Sequence, residues 1–521
     1  MKNALTNQIH NIFYYLNNRD KHINKNHPDY LFAMPEDLIV VGGGLAGIAA
    51  SLALADEVTN DGEKCFNVTL IESGSKLGGR VSSIVDSKTG YRLDNCQHSC
   101  FRIYHRFLQL MARSKAFDAI KLQEKTRILF IDPKTGKRST LSDGKLAPPN
   151  HMLGSMLKFP FLSLKDKVQM RKAIKSMSKL TSEERYKLDN VPFDKWLREN
   201  GQTENSINIF WEFFVKAALN TTIGDASANQ AIMLFQYGLF NESDSFDVGA
   251  FTNDLTSSMH TFFEKSLADA GVNLKFKTSC KSIIWNNENC EGVKTSEGEL
   301  FAQKIILAIP QHSAKRVLSK ENNTPKMNNV ISKLDKLEYR SLIGLHGIFG
   351  KDFLNEDFSF AAMIDEPVIQ LIFNRNHELD DENKLPNNKL LLSVPVSAAD
   401  EFIKWDDEKF KLEFERVIES IWPGSSKELE RFVVVKYPKA TFAPLVMSKQ
   451  FRPKSDEIGG GLYLCGDYTD CDWPSTMEGA VRSGLIAASK IIGNIEWGAD
   501  EKWPNWPENP KRGAEDWKEW K

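Results

Sequence analysis

An α/β fold is predicted for this chain, with one parallel sheet and a second, discontinuous α+β domain threaded through it. Three observations predict it. Near the start, the apolar run Leu38-Ile39-Val40-Val41 ends at Gly42-Gly43-Gly44-Leu45-Ala46-Gly47. Near the end, Leu462-Tyr463-Leu464-Cys465 ends at Gly466-Asp467, ahead of a stretch rich in small residues at 477–484. Between the two, helix-like and strand-like segments alternate. A short apolar run that stops at glycine is the pattern of a strand buried on both faces. One sheet assembled from both ends of the chain accounts for the pair.

The elements follow in order. Residues 37–41 read as the first strand, 45–54 as an Ala- and Leu-rich helix, and 67–71 as a second strand that ends at Glu72. This is a βαβ unit, with a long connection through Asp61-Gly62-Glu63. From Phe117 to about Asn241 the pattern is helical. Residues 162–180 carry Lys and Arg between apolar positions, and Phe193, Trp196, Phe210, Trp211, Phe213 and Phe214 follow. Residues 273–277, 282–285 and 292–295 are expected as a meander. Residues 304–309 read as a buried strand stopped by Pro310. A second mixed segment covers 319–449, before a strand at 462–465 and a final helix at 476–492. The expected partition is an N-terminal extension at 1–35 and a cofactor domain at 36–113, 246–318 and 450–495. A substrate domain at 114–245 and 319–449 and a Trp-rich tail at 496–521 complete it.

Composition excludes several classes. Hydrophobic residues make up 41% and charged residues 26%, as in an ordinary soluble globular protein. The formal net charge is −2, without a concentrated basic run, which gives nucleic-acid binding no electrostatic support. Seven cysteines without a CxxC pair fit free thiols in a reducing compartment, and no metal site is expected. No uncharged apolar run approaches the roughly 18 residues that span a bilayer. The start shows no basic segment followed by an apolar one, so a cytoplasmic protein is expected.

Gly42-x-Gly44-x-x-Gly47, set between a strand and a helix, has the form of a pyrophosphate loop. Gly42 permits the tight turn, Gly44 admits close backbone approach, and Gly47 lets helix and strand pack together. Leu45 and Ala46 open the helix, whose N-terminal N–H groups favour an anion. A carboxylate at Glu72 accepts hydrogen bonds from a ribose 2′-hydroxyl and repels a 2′-phosphate. FAD or NAD therefore fits better than NADP, and the loop alone leaves FAD and NAD both open.

Gly78-Gly79-Arg80 follows Glu72 closely and suits a diphosphate, with a guanidinium nearby. With Glu72 it resembles the E-x(5)-GGR pattern of the amine oxidase and carotenoid desaturase flavoprotein superfamily. That resemblance implies a Rossmann-like, GR2-type FAD-binding domain with FAD as cofactor. It also implies that Asp467, after Gly466, contacts the ribityl chain. The helix beginning near Thr476, Met477 and Ala480 would face the flavin pyrimidine, and Cys280 would meet adenine through its backbone. Residues 305–310 are similar to the strand that closes the cofactor domain.

A narrower resemblance follows. Leu93-Asp94-Asn95-Cys96-Gln97-His98, the 159–167 stretch, Phe210-Trp211-Glu212 with Ala218-Leu219-Asn220, and Trp473–Gly484 are similar to the hydroxysqualene dehydroxylase family. These are the squalene-associated FAD-dependent desaturases of hopanoid biosynthesis. The chain departs from the family at Ser341-Leu342-Ile343-Gly344-Leu345-His346, where a Pro-Ile pair is usual. Amine oxidases of the superfamily place a lysine near the flavin on this strand, where Gly344 stands here.

The resemblance implies reductive loss of a hydroxyl from a long isoprenoid lipid. An acid should then protonate the leaving hydroxyl. His98, Asp94 and Gln97 are the candidate catalytic residues. An ordinary histidine pKa near 6.5 suits His98 to proton delivery, and Asp94 either orients it or acts as the acid. His98 equally suits a structural role, and Asp94 and Asn95 suit holding the loop. Glu212 and Asn220 either line one face or cap a helix. The aromatic run with Phe235, Tyr237 and Phe240 reads as plain core before it reads as a tunnel wall. An isoprenoid substrate implies peripheral membrane contact. A phytoene-type desaturase, an amine oxidase and a flavin-binding scaffold without turnover are the rival readings. The oligomeric state is left open.

Overall fold

Strand β1 (Glu36–Val41) is buried from Leu38 onward, and helix α1 (Leu45–Ala55) is buried along its whole length. A helix that is apolar on every side can only sit between layers. Strands β2 (Phe66–Ile71), β3 (Asn273–Lys275), β4 (Lys304–Leu307) and β5 (Leu462–Leu464) join β1 in one sheet of order β3-β2-β1-β4-β5. β3 runs parallel to β2, β1 to β4 and β4 to β5, with Val40 opposite Ile306 and Ile306 opposite Tyr463. Helix α2 (Met477–Ile492) packs on α1 so closely that a Cβ on Gly484 would lie 2.1 Å from the Ala46 carbonyl oxygen. Segments 36–55 and 462–492, far apart in sequence, thus build one unit.

The protein is described by a computed structural model over residues 34–59, 61–240, 242–320, 324–493 and Trp506. The expected N-terminal extension lies outside these residues up to position 33, and so does the Trp-rich tail apart from Trp506. Trp506 is buried and donates through its indole N–H to Asp56 at 3.1 Å.

The second sheet has seven strands. In spatial order they are Leu429–Phe442, Tyr339–Phe349, Leu390–Val396, Leu371–Asn374, Phe360–Met363, Arg127–Ile131 and Arg138–Ser142. All neighbours are antiparallel except Phe360–Met363 with Arg127–Ile131. A helical block from Leu153 to Phe240 packs an aromatic core, with the Trp211 and Phe235 rings 4.8 Å apart at 80°. The Trp211 indole N–H is satisfied by Gln202 at 3.0 Å.

Two sequence expectations change. The helical reading from Phe117 begins too early, since Ile120–Leu122, Arg127–Ile131 and Arg138–Ser142 are strands. Ile120–Leu122 and Arg127–Ile131 pair with Val248–Phe251 and Phe360–Met363, far away in sequence, and Arg138–Ser142 folds back on Arg127–Ile131 as a hairpin, so pairing overrides the local pattern. The expected meander also loses its first member. Residues 273–275 join the parallel sheet, while Cys280–Asn286, Asn289–Thr295 and Gly298–Phe301 form a separate antiparallel sheet. All seven cysteines are free thiols. Among the described residues, no helix is long and apolar enough to cross a membrane.

Candidate functional site

The turn after β1 is built by steric necessity. Gly42 has φ of 111°, a region that side chains rarely enter. A Cβ on Gly47 would lie 2.0 Å from the Gly42 carbonyl oxygen and 3.1 Å from the Ala308 side chain. Gly47 therefore fixes the distance between α1, the loop and the end of β4. Gly47→Ala is expected to cost about 1–3 kcal/mol of overpacking, and to weaken FAD binding roughly 10–100-fold if the loop takes up the strain. Denaturant unfolding and titration of apoprotein with FAD read the two effects, and unchanged stability together with unchanged affinity would refute the packing argument.

Glu72 is held at the same loop. One carboxylate oxygen accepts from Gly43 N–H at 2.8 Å and the other from Gly74 N–H at 2.6 Å. The Gly78 N–H donates to the Gly43 carbonyl at 2.9 Å, which lays the second glycine pair on the first. Arg80 then reaches the other half of the chain. It bridges both oxygens of Asp467, at 2.5 and 3.0 Å, and donates to the Ala440 carbonyl at 2.8 Å. Asp467 also accepts from Ser475 Oγ. Burial would raise the Asp467 carboxyl, but the Arg80 guanidinium, the Ser475 hydroxyl and the Arg452 charge together outweigh it and hold the group below the usual carboxylate range. The α2 N-terminus is capped by Thr476, whose Oγ1 accepts from Gly479 N–H at 3.1 Å.

Together these elements enclose a cavity of about 460 Å³. Gly42, Gly44, Leu45, Ala46, Glu72, Gly78, Gly79, Arg80, Cys280, Gly466, Asp467, Thr476, Met477 and Ala480 all line it. Gly47 does not, because its role is packing beneath the loop. A glycine-bounded anion loop, a ribose-height carboxylate and two helix N-termini on one cavity fit an FAD molecule. Among the described residues, no group of three His, Cys, Asp or Glu side chains is placed to hold a metal ion.

The structure divides the three candidate catalytic residues. His98 lines the cavity, and its Nδ1 donates to the Cys96 carbonyl at 2.9 Å. A carbonyl only accepts, so the proton sits on Nδ1 and Nε2 keeps its lone pair. Asp94 and Gln97 do not line the cavity. Asp94 is buried, accepts from Ser83 Oγ at 3.0 Å and Leu255 N–H at 2.8 Å, and faces Arg375 at 3.5 Å. The Gln97 amide donates to Glu378 at 3.3 Å. Cys96 occupies the Nδ1 position, so Asp94 acts on the imidazole through its charge rather than through a hydrogen bond at that nitrogen. Burial also lowers the His98 pKa below its ordinary value and raises that of Asp94. His98 is accordingly neutral at neutral pH.

Glu212 and Asn220 take structural places. Glu212 accepts from Ile223 N–H at 2.8 Å and pairs with Lys216 at 2.9 Å. Asn220, a left-handed helix cap, donates to Thr441 at 2.9 Å and accepts from Ala398 N–H at 2.7 Å. Phe210, Trp211, Phe214, Phe235 and Phe240 are buried core. Tyr237 alone of the aromatic run lines a small apolar cavity of about 30 Å³, with Phe101, Tyr104, Phe246 and Trp473, that shares Thr476 with the main one. Sequence reasoning missed Tyr437 and Lys439, which line the main cavity beside Thr441. The period-two spacing 437, 439, 441 on one strand was the available signal.

A model of flavin-containing amine oxidoreductases matches residues 45–492. The chain belongs to this family. It is an FAD-dependent oxidoreductase by that membership. Hydroxysqualene dehydroxylase of Zymomonas mobilis is 25% identical over 471 residues, 87% of this chain and 98% of that protein. The 15-cis-phytoene desaturase of Narcissus pseudonarcissus is 22% identical over 473 residues, 88% of this chain and 80% of that protein. Among solved structures, a putrescine oxidase with putrescine bound is similar at a TM-score of 0.66 and 17% identity, covering 88% of this chain and 100% of the other. An oxidoreductase from Methanosarcina mazei is similar at a TM-score of 0.67 and 15% identity, with the same coverage. These solved structures share the flavin amine oxidoreductase fold, an α/β cofactor domain with a second, substrate domain.

Proposed function

We propose that this flavin-containing oxidoreductase acts on a long isoprenoid lipid and reductively removes the hydroxyl of hydroxysqualene to give squalene. The observation that carries the reading is the 95–98 loop, which sets the His98 imidazole into the cavity wall and rests its Asn95–Cys96 backbone on Gly344. A Cβ on Gly344 would lie 2.8 Å from the Asn95 carbonyl oxygen, so a lysine at this position is sterically barred. That supports isoprenoid chemistry over amine oxidation, as does the likeness to a hydroxysqualene dehydroxylase over nearly its whole length.

In this reading 36–113, 246–318 and 450–495 hold the cofactor, while 114–245 and 319–449 hold the lipid. The Gly42–Gly47 loop and Arg80 bind the diphosphate, Glu72 the ribose, the Cys280 backbone the adenine, and Asp467 with the α2 N-terminus the flavin end. Bound FAD, once reduced, supplies the hydride. His98 holds the substrate hydroxyl through Nε2. When Nε2 is protonated, His98 gives that proton to the hydroxyl oxygen as the C–O bond breaks, and the oxygen departs as water. The cavity wall of Leu342 and Tyr437 keeps bulk water from the carbon left behind.

The deciding experiment incubates the purified protein with hydroxysqualene and reduced FAD and identifies the lipids by mass spectrometry. Squalene is the expected product. Its absence, with FAD bound, would refute the dehydroxylation reading. A neutral His98 also serves as a proton acceptor, which favours phytoene-type desaturation as the second reading. New double bonds in phytoene with oxidised FAD would establish that one instead.

A further inference from the structure

The helix Leu164–Met177 buries one stripe and bares the opposite one. Asp166, Met170, Ala173 and Met177, spaced i, i+4, i+7 and i+11, face inward. Leu164, Val168, Arg171 and Lys175 repeat the same spacing on the outside, and all four are exposed. Leu164 is 74% and Val168 59% exposed. Leu157, at 56%, stands on the preceding helix Leu153–Lys158. Lys167 Nζ donates to its carbonyl at 2.9 Å and joins the two helices.

Charge on this segment is one-sided. Lys and Arg occur eight times between positions 145 and 179, where Asp166 is the sole acid. Asp166 is buried and spent on the helix cap, Thr203 and Asn205, so it does not neutralise the outer face. None of the eight cations is ion-paired with a described residue. Five of these charges, Lys165, Lys167, Arg171, Lys172 and Lys175, stand on the helix itself, beside bare aliphatic side chains. Single exposed leucines are ordinary. A stripe of them bordered by unpaired cations is the pattern of a helix lying in a lipid interface. Nucleic acid would also meet the cations, but leucine and valine offer bases no stacking platform.

We infer that the face formed by Leu157, Leu164, Val168, Arg171 and Lys175 docks on an anionic lipid surface. The aliphatic side chains enter the headgroup boundary and the cations meet lipid phosphates. This inference deepens the reading of a lipid substrate but does not rest on the dehydroxylation reaction.

The test sediments the FAD-loaded full chain with phosphatidylcholine vesicles that do or do not contain phosphatidylserine. The expected result is retention on the phosphatidylserine vesicles only, lost at high salt. Two double variants, Leu164→Asp with Val168→Asp and Arg171→Glu with Lys175→Glu, should each weaken retention on the order of tenfold or more. Flavin absorbance and melting temperature of both should stay at the wild-type values. No retention on anionic vesicles, or wild-type retention of both variants, would overturn the inference. Salt-sensitive binding to RNA without vesicle binding would overturn it in favour of a nucleic-acid surface. No turnover is measured, so vesicle binding and squalene formation can each fail alone.

Discussion

Under the proposed dehydroxylation, His98→Asn is expected to slow squalene formation by about 10²–10⁴-fold while the protein keeps its FAD. Asparagine preserves a donor toward the Cys96 carbonyl but removes the titrating nitrogen. The loss should therefore fall on the chemical step, read as single-turnover squalene formation, with the flavin spectrum unchanged. Wild-type turnover in the variant would clear His98 from the reaction. The pH profile gives the direction of proton movement. Burial lowers the His98 pKa below its ordinary value near 6.5. A donor must carry its proton, so dehydroxylation should accelerate as pH falls into the acid range and slow as pH rises. A neutral imidazole that accepts a proton, as desaturation requires, gives the opposite slope. The Asn variant should flatten whichever slope is found.

The features legible in the sequence are those whose requirements are local. A phosphate loop needs glycine at Gly42 and Gly47 because of backbone atoms within a few residues, and the pattern shows it. Strand ends at Glu72 and Gly466 are legible for the same reason. The pairing of Arg80 with Asp467 was not, because those residues stand 387 positions apart and meet only when both halves share one cavity. Tyr437 and Lys439 were hidden likewise, on a strand that resembles any half-exposed edge. The loop from Asp94 to His98 shows the converse failure. Its residues are the right types in close sequence, yet Asp94 ends a strand whose side chain turns to Arg375, while His98 turns to the cavity. Sequence proximity names the cluster without giving the direction of each side chain.

That divided loop makes Arg375 the residue on which the polar wall depends. It is 3% exposed, contacts Glu378 at 2.5 Å and Asp94 at 3.5 Å, and donates to the Phe251 and Asn253 carbonyls at 3.3 Å each. Glu378 in turn accepts from Ser359 at 2.7 Å and from the Gln97 amide at 3.3 Å. Burial opposes charge on all three, raising the carboxyls of Glu378 and Asp94, and the guanidinium opposes that rise. Arg375→Met removes the cation and leaves two carboxyls in an apolar setting. The expected cost is about 3–5 kcal/mol in denaturant unfolding at neutral pH, the range for breaking a buried ion pair from one side. Without the cation both folded-state carboxyl pKa values rise further above their unfolded values. The folded variant then binds more protons than the unfolded chain, so its deficit should shrink as pH falls through the range of those raised values. Adding Glu378→Gln and Asp94→Asn should recover much of the loss, because no buried charge then lacks a partner. A single variant that loses less than about 1 kcal/mol would show these groups to be hydrated rather than sealed. Gln97 also lies 3.4 Å from the His98 carbonyl, so the same substitution should loosen the loop. A raised KM for the proposed substrate, hydroxysqualene, in the surviving folded fraction would report that shift, separately from the lost stability.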